Sequence, residues 1–513
     1  MLKTLGTSYC RLAFGKLRVK STEPTDASCD VIGRGLRTAG ESTTHGRSRL
    51  SNDTPQLEER RLGNKMFCLR DYDAYGFDID HTLAKYKLVE LFKLSYEGCV
   101  DFLIQERGYP QTLKDDLASH KDFFCKGLYL DADRGNLLKL SRDGKILRAA
   151  HGTTFLSKSE MEAIYGEDLK WEHFEDAQNY VRATCANFKY RFFENYFDIP
   201  SLVTCAHIVD ITDEAEGHKD KYDFWRDLYA AFVNNYRFQG FAESTGNYFP
   251  FVKKDPAKYL HKCSEGVKQW LRDLKQKNKA VFLITSSHID YATQTLNTVI
   301  GDDWMSYFDI CITNARKPLF FTQSNPFLEL DGHKEGEPVQ VLEANKCYSQ
   351  GNYKVLMEFL KKQTSNPEPK VVYFGDSMCS DSFPAKSAAK WDTVLVLEEM
   401  EAEGYHPTEK DLDQQDHPSN KHRKVDLGID LEEDVYLLSK LWGSFFYHPE
   451  EDKKQDHLMN TFWGCLISQY SNIAIPSVEY IAGMSIDHKF PAFSNSAGCT
   501  RGFSPAKPKV LLP

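Results

Sequence analysis

The chain has 513 residues, of which 41% are hydrophobic, 13% aromatic and 27% charged, and its formal net charge is −10. A single hydrophobic core stops growing at roughly 250 to 300 residues, so this length predicts two or three domains. The composition excludes a chain that is disordered throughout. The acidic balance argues against broad nucleic-acid binding, which requires a basic surface.

Hydrophobic runs and cysteines set two further bounds. No hydrophobic run reaches the ~18 to 20 residues that cross a bilayer, so the sequence predicts no membrane-spanning segment. The thirteen cysteines are scattered and contain no C-x-x-C pair. They indicate neither a disulfide framework nor a zinc knuckle and favour a reducing compartment.

Residues 1–65 have the composition of an extension. The first twenty contain five basic residues and no acid, which resembles a mitochondrial presequence. Residues 21–65 are crowded with Ser, Thr, Gly and Arg and show no periodicity. The segment is interpreted as a disordered tail, a targeting segment or an upstream extension of a chain that folds from about Met66.

Short hydrophobic runs alternate with helical stretches from Asp73 onward, which is typical of parallel strands joined by crossover helices. Five runs are predicted as strands: Ala74 to Ile79, Ala280 to Ile284, Phe308 to Thr313, Val371 to Phe374 and Thr393 to Leu397. We therefore predict an α/β fold with a Rossmann-like parallel sheet. Its core is assigned to the discontinuous residues 66–98 and 262–400.

About two hundred residues separate the first two runs, too many for one crossover, so residues 99–261 are predicted to form an inserted α+β cap. The stretch from Gly127 to Gly152 has turn signals between short hydrophobic pieces and predicts hairpins. Phe224 to Tyr236 is predicted as a helix. Residues 401–434 are rich in charged and polar residues and predict a flexible linker, and residues 435–513 a tail packed on the core.

Two carboxylates, Asp78 and Asp80, lie at the carboxyl end of the first predicted strand. Acids this close repel each other unless one is protonated or a cation lies between them. The carboxyl end of a parallel strand is also where such sheets place ligands. Taken alone, an Asp-X-Asp pattern is more often a solvated turn or a helix cap, and that alternative stays open at this point.

Hydroxyls and a cation follow the next two strands. Thr285 and Ser286 end the second strand before a helix, where an anion is favoured, although a plain N-cap is the alternative. Lys317 follows the third strand and can neutralise phosphate, with a surface lysine beside a turn proline as the alternative.

Two more acids, Asp376 and Asp381, follow the fourth strand after Gly375, which allows the sharp turn that brings Asp376 beside the first pair. Four polar signals at the carboxyl ends of successive parallel strands are together much more specific than any one of them. This combination is what phosphoryl transfer through an aspartyl intermediate requires.

These motifs resemble those of the haloacid dehalogenase-like phosphohydrolases, in the form DIDHT, ITSS, Lys317 and GDSMCSD. Within that superfamily the stretches HGTTFL, RFFENYFDIP, NARKPLFF and VVYFGDSMCSD are similar to signatures of the cytosolic purine 5′-nucleotidase group. The C-terminal stretches KLWGSFF and SNIAIPSVEYIA resemble one particular branch of it. The resemblance covers nearly everything after Met66.

The resemblance implies a role for each motif. Asp78 would be the nucleophile and Asp80 the general acid and base. Magnesium would be held by the Asp78 carboxylate, the Asp80 backbone carbonyl and Asp376, with Asp381 in support. The remaining phosphate oxygens would contact Thr285, Ser286 and Lys317.

The predicted function is a magnesium-dependent phosphomonoester hydrolase for a small-molecule substrate, a nucleoside 5′-monophosphate in the first place. Ser286 replaces an asparagine of the purine nucleotidases, and the stretch from Leu228 to Val233 is hydrophobic where their cap helix reads the base. A phosphatase for another metabolite is therefore the first alternative, and a catalytically silent binding member of the family is the second.

The resemblance also favours a cytoplasmic location, with a mitochondrial one as the alternative from the basic N-terminus. Partners are predicted to be the small-molecule substrate only, without membrane or broad nucleic-acid binding, and self-association into a homo-oligomer is left open. His81 and His151 are interpreted as a polar residue at a strand end and a turn residue.

Overall fold

The computed structural model describes residues 66–178, 189–237, 239–403, 438–449, 460–493 and 502–504. The predicted extension 1–65 and nearly all of the predicted linker lie outside these residues.

Sixteen strands, labelled β1 to β16 in chain order, lie in the described part of the chain. They span Met66–Cys68, Ala74–Phe77, Leu128–Asp131, Asn136–Leu140, Ile146–His151, Thr154–Phe155, Tyr190–Phe193, Ala280–Ile284, Ile310–Thr313, Phe327–Asp331, Lys334–Val339, Lys346–Gln350, Val371–Gly375, Asp392–Val396, Ile473–Ile475 and Lys489–Pro491.

Fourteen α-helices, α1 to α14, are found within the same described ranges. They span Leu88–Arg107, Lys158–Tyr165, Phe174–Gln178, Ile199–Glu216, Trp225–Asn235, Gly240–Glu243, Phe249–Lys254, Glu265–Gln276, Ile289–Val299, Leu319–Thr322, Tyr353–Thr364, Glu399–Ala402, Phe462–Tyr470 and Val478–Ala482. Two π-helical turns, at Met378–Ser382 and Ala385–Ala389, follow β13.

The main sheet, as far as the chain is described, has nine strands in the order β11-β10-β12-β9-β8-β2-β13-β14-β15. All its pairs from β12 to β15 are parallel, and only the hairpin β10–β11 and its contact with β12 are antiparallel. The interior strand β2 is fully buried between β8 and β13, as expected for a sheet covered on both faces. All five predicted strands are present, with ends shifted by no more than two residues.

The centre of the sheet is packed without spare room. A side chain on Gly76 of β2 would place its Cβ 2.4 Å from the Phe282 ring and 2.7 Å from Tyr373. Because real Cβ contacts are never that short, glycine is what allows the rings of β8 and β13 to close over β2. Because β8, β2 and β13 are parallel, their carboxyl ends lie at the same edge of the sheet.

A second, antiparallel sheet in the order β6-β5-β4-β3-β7 lies between β2 and β8 in the sequence. The predicted hairpins from Gly127 to Gly152 are β3, β4 and β5, and the predicted helix from Phe224 is α5. The predicted fold class, an α/β parallel-sheet core with an inserted α+β region, is confirmed.

The C-terminal residues contribute strands as well as packing. β15 pairs parallel with β14 and extends the main sheet, and β16 pairs with β1. Glu403 is buried and accepts hydrogen bonds from Ser444 Oγ and the Phe445 amide. Residues 401–403 of the segment predicted as a linker therefore belong to the described structure, where donors from the C-terminal residues satisfy the Glu403 carboxylate.

None of the described helices is both long enough and sufficiently hydrophobic to span a bilayer.

Candidate active site

Asp78 lies immediately after β2, where its amide donates to the Phe374 carbonyl of β13 at 2.9 Å. The chain then turns back at His81, whose φ of 54° is in the left-handed region, and the His81 amide donates to the Ala84 carbonyl. This turn places Asp78 and Asp80 in the interior, each 1% exposed. The alternative of a solvated turn is therefore excluded.

Three carboxylates from two strand ends converge at this point. One oxygen each of Asp78, Asp376 and Asp381 lies within 4.8 Å of the others, and all three residues are buried. Neither oxygen of Asp376 has a hydrogen-bond partner among the described residues. Burial, followed by the neighbouring acids Asp381 and Asp78, raises the pKa of Asp376 well above its usual range.

Such a group of carboxylates requires positive charge, because buried anions are costly unless they are paired or bind a metal. Hard divalent cations prefer carboxylate oxygens, and Mg²⁺ in particular is held by one or two carboxylates plus water and substrate phosphate. The orphaned oxygens of Asp376 beside Asp78 therefore fit the predicted magnesium site.

Lys317 supplies the second part of the positive charge. Its Nζ lies 2.8 Å from Asp78 Oδ1 and 2.5 Å from Asp381 Oδ1, and Tyr373 OH is 3.1 Å away. The residue is fully buried, which excludes the alternative of a surface lysine. Burial alone would lower the pKa of Lys317, but Asp381 and Asp78 outweigh it and raise the pKa, so the ammonium stays charged.

Asp80 points to a different set of groups from Asp78. Its Oδ2 accepts from Ser287 Oγ at 2.6 Å and its Oδ1 from Tyr86 OH at 2.7 Å. Tyr86 OH is in turn 2.8 Å from Tyr291 OH. Both oxygens of Asp80 are thus oriented by hydroxyls, while Asp78 faces a lysine, and this difference in surroundings suits two different chemical roles.

Thr285 and Ser286 lie at the end of β8 and are fully buried. The Thr285 Oγ1 accepts from the Ser287 amide, and the Ser286 Oγ accepts from the Lys317 amide at 2.9 Å. His288 is the N-cap of α9, so neither hydroxyl serves as the plain cap of that helix. The Ser286 hydroxyl links the second and third motifs.

The loop after β13 depends on Gly375. A Cβ at this position would lie 2.5 Å from the Asp381 side chain, so glycine allows the carboxylate to fold back over the strand end. The Asp381 Oδ2 accepts from the Ser377 amide at 3.2 Å. Burial raises the pKa of Asp381 to about 6, although Lys317 acts in the opposite direction.

Two charged residues of the inserted region also enter the site and were not identified from the sequence. Glu194 accepts from Ser377 Oγ at 2.6 Å and from the Met378 amide at 2.7 Å. Glu194 stands within the RFFENYFDIP stretch, and its carboxylate in a hydrophobic run is the signal that was overlooked.

Lys126 is the second such residue. It is 2% exposed, and its Nζ lies 3.5 Å from Glu399 Oε2 and 3.7 Å above the Tyr196 ring. Its charge is the main favourable influence on ionised Asp376. Its sequence neighbourhood offers no signal for this position, because only the packing of the inserted region on the core brings it there.

The His81 ring is enclosed by aromatic side chains, which the prediction of a polar residue at a strand end did not include. Its ring packs against Tyr86, Tyr196 and Phe197 with centroids 4.6, 5.2 and 4.9 Å away. Its Nδ1 lies 3.6 Å from Glu398 Oε1. The aromatic residues of the inserted region thus close one side of the site.

Comparisons with known proteins identify the family of this chain. A model of the 5′ nucleotidase family matches residues 63–457. The human 5′-nucleotidase domain-containing protein 1 is 43% identical over 87% of this chain and 97% of its own length. The bovine protein of the same description is 42% identical over the same shares of both chains. The branch predicted from the C-terminal stretches is confirmed.

More distant matches extend the same picture. The human 5′-nucleotidase domain-containing protein 2 is 27% identical over 66% of this chain and 63% of its own. A crystal structure described as that of a β-phosphoglucomutase from Thermotoga maritima covers 63% of this chain and 85% of its own at 13% identity, with a TM-score of 0.23. A TM-score this low supports no structural inference.

Proposed function

Because this chain belongs to the 5′ nucleotidase family, we propose that it hydrolyses small phosphomonoesters, nucleoside 5′-monophosphates in the first place, through an aspartyl phosphate on Asp78. One observation supports the proposal above all. Carboxylate oxygens of the buried residues Asp78, Asp376 and Asp381 lie within 4.8 Å of one another, and Lys317 forms ion pairs with Asp78 and Asp381. A merely structural cluster would gain little from three acids and one cation, since unpaired buried charge is destabilising.

In the first half-reaction an Asp78 oxygen attacks phosphorus and the bond from phosphorus to the ester oxygen breaks. Asp80 donates a proton to that leaving oxygen, so the alcohol departs neutral. In the second half-reaction water attacks the same phosphorus, Asp80 takes the water proton, and the bond to Asp78 breaks. Inorganic phosphate leaves, Asp78 is again a free carboxylate, and Asp80 again carries the proton that it donated in the first half-reaction.

The surrounding residues orient these groups and balance charge. Ser287 and Tyr86 donate to the two oxygens of Asp80 and so hold its carboxyl group in one orientation. Lys317 stabilises negative charge on the transferring phosphoryl group beside Asp78. A magnesium ion held by Asp78, the Asp80 carbonyl and Asp376 would supply further neutralisation of phosphate charge.

A second candidate substrate class is another metabolite phosphate, such as a sugar phosphate. The buried face of α5 consists of Leu228, Ala231, Phe232 and Asn235, and it offers no charged group toward the interior. The helix therefore presents no charged side chain toward the interior that could recognise a nucleotide base.

The test is phosphate release from a panel of nucleoside monophosphates and sugar phosphates, with Mg²⁺ or with EDTA. We expect Mg²⁺-dependent turnover, and a loss of at least about a thousandfold in Asp78→Asn, since a missing nucleophile removes the whole covalent pathway. Asp487→Asn, at an exposed ion pair with Arg70, is the matched control and should retain activity.

Acid quenching during turnover should trap phosphate on the peptide that contains Asp78 in the wild-type chain only. Equal activity of Asp78→Asn and wild type would refute the nucleophile. Binding of Mg²⁺ and a phosphate analogue without turnover of any substrate would favour the catalytically silent alternative.

A further inference from the structure

A second cluster of metal-binding side chains lies in the inserted region, apart from the acids of the active site. His151 ends β5, Asp213 lies in the last turn of α4, and His218 follows Gly217, the C-cap of that helix. The Asp213 Oδ2 is 3.0 Å from His151 Nε2 and 3.4 Å from His218 Nδ1. One donor atom from each residue lies within 4.8 Å of the others.

These distances match the edges of a tetrahedral metal site. With metal–ligand distances of about 2.0 to 2.1 Å, two ligands at the tetrahedral angle are roughly 3.3 to 3.4 Å apart. The two imidazole rings have centroids 4.8 Å apart at an angle of 56°. An ion can therefore be held between the rings and the carboxylate with shifts of only a few tenths of an ångström.

A chain of hydrogen bonds behind His151 sets which ring nitrogen is available. Tyr165 OH donates to Asp131, and the Asn136 amide nitrogen donates to Tyr165 OH. The Asn136 oxygen then accepts from His151 Nδ1 at 2.7 Å. The Nδ1 carries hydrogen, so in the neutral ring the lone pair is on Nε2, which faces Asp213.

This arrangement is the one that metal-ligating histidines use, in which the other ring nitrogen donates to an oxygen behind the ligand. A neutral Nε2 facing a carboxylate oxygen at 3.0 Å is repulsive unless a cation or an extra proton lies between them. Tyr222 OH donates to the other oxygen of Asp213 and lies 3.1 Å from His151 Nε2, so its one proton goes to the carboxylate and the Nε2 lone pair stays available to a metal ion.

The local sequence fixes His151 in place. Gly152 has φ 56°, and a Cβ there would lie 1.8 Å from Asp210 Oδ1. The missing side chain allows Asp210 to accept from the amide and hydroxyl of Thr153 across the turn. The HGT sequence thus ties the end of β5 to α4, one turn of helix from Asp213.

We propose that His151, Asp213 and His218 bind a transition-metal ion of the Zn²⁺ class, with water as the fourth ligand. Two imidazoles and one carboxylate suit Zn²⁺ and not Mg²⁺, which prefers oxygen ligands. Asp213 is 14 residues from Ile199, the active-site end of α4, which corresponds to about 21 Å along the helix. The ion stabilises the inserted region and takes no part in the phosphate chemistry.

A neighbouring group of the same composition provides an internal control. Asp115, His120 and His207 also have donor atoms within 4.8 Å, but the two imidazole rings are in direct contact, with centroids 4.0 Å apart. An ion cannot enter between them without separating the rings. We therefore expect the cluster of His151, Asp213 and His218 to bind the ion and the cluster of Asp115, His120 and His207 not to bind it.

The test is Zn²⁺ titration by calorimetry and Co²⁺ binding by visible absorption, both on the full-length chain in excess Mg²⁺, which keeps the carboxylates of the active site occupied. We expect one Zn²⁺ per chain, a tetrahedral Co²⁺ spectrum without thiolate charge transfer, and at least about tenfold weaker binding in His218→Gln, since a lost direct ligand costs at least as much as a lost supporting one. His120→Gln should bind as wild type does.

His218 is exposed, so its variant is expected to fold, and melting curves without metal check this. Asp213→Asn should also lose the site. The proposal is wrong if Zn²⁺ does not bind, if His218→Gln binds it as tightly as wild type, or if Co²⁺ shows thiolate ligation. None of these readouts requires phosphatase activity, so this result and that of the proposed function are independent.

Discussion

Glu194 makes a buried connection between the inserted region and the loop that carries Asp376, and removing it is the most informative single change. Its two carboxylate oxygens accept from Ser377 Oγ and the Met378 amide, and all of these groups are buried. Glu194→Ala leaves both donors without a partner in the interior.

The magnitude follows from these two donors. Each buried unsatisfied donor costs about 1 to 3 kcal/mol, so the pair costs about 2 to 6 kcal/mol. Burial raises the pKa of Glu194, and its charge also opposes that of Asp376, so its removal relieves some unfavourable interaction. The expected loss of unfolding free energy is therefore in the lower half of this range, about 2 to 4 kcal/mol.

Activity should fall as well, because the Ser377 loop positions Asp376. A displacement of about 1 Å at such a loop can cost about a hundredfold in rate. We expect kcat to fall by that order in Glu194→Ala and by much less in Glu194→Gln, which retains one acceptor and one donor of similar shape.

Urea unfolding and phosphate-release kinetics on the same preparations measure both effects. Glu162→Ala, at a half-buried position on α2, controls for loss of a glutamate as such. In a double-mutant cycle with Ser377→Ala the two losses should be smaller together than their sum. Unchanged stability and kcat in Glu194→Ala, or additive losses in the cycle, would refute the connection.

Two further predictions concern other buried charges. Lys317→Met leaves Asp78 and Asp381 without their ion-pair partner and should cost about 3 to 5 kcal/mol of stability with loss of activity, measured by urea unfolding and phosphate release. Burial raises the pKa of Glu403 from 4.5 to about 7. Its stabilising contribution is therefore complete below pH 4.5 and is lost as the pH rises through about 7, which corresponds to about 3 kcal/mol between the two limits. Urea unfolding at several pH values, in wild type and Glu403→Gln, measures this contribution.

Controls separate both effects from general damage. Adding Asp381→Asn to Lys317→Met should recover part of the lost stability, because it removes one uncompensated charge. No recovery would show that the loss has another origin. For Glu403 the two pH profiles should diverge between about pH 4.5 and 7, and parallel profiles would contradict the assignment.

The sequence predicted the strands of the core well because each is a short hydrophobic run buried on both faces. The run from Ala280 to Ile284 is reproduced residue for residue in β8. It also predicted the positions of Asp78, Lys317 and Asp376, since parallel strands must present their carboxyl ends at one edge.

The sequence was less informative about residues contributed by the inserted region. Glu194 and Lys126 reach the site only through packing between units that are distant in the chain, and no periodicity encodes such contacts. His151 illustrates the same limit, because its turn was recognised while the partners that make it a candidate ligand, Asp213 and His218, lie more than sixty residues away.

Local pattern was thus sufficient for the five predicted core strands and for the acids at their ends, because both depend on neighbours within a few residues. Only the tertiary structure decided which charges face each other: Lys317 between Asp78 and Asp381, and Asp80 beside two hydroxyls. The reason is that burial and Coulomb energy depend on distance in space, and distance in space is set by the packing of the whole chain.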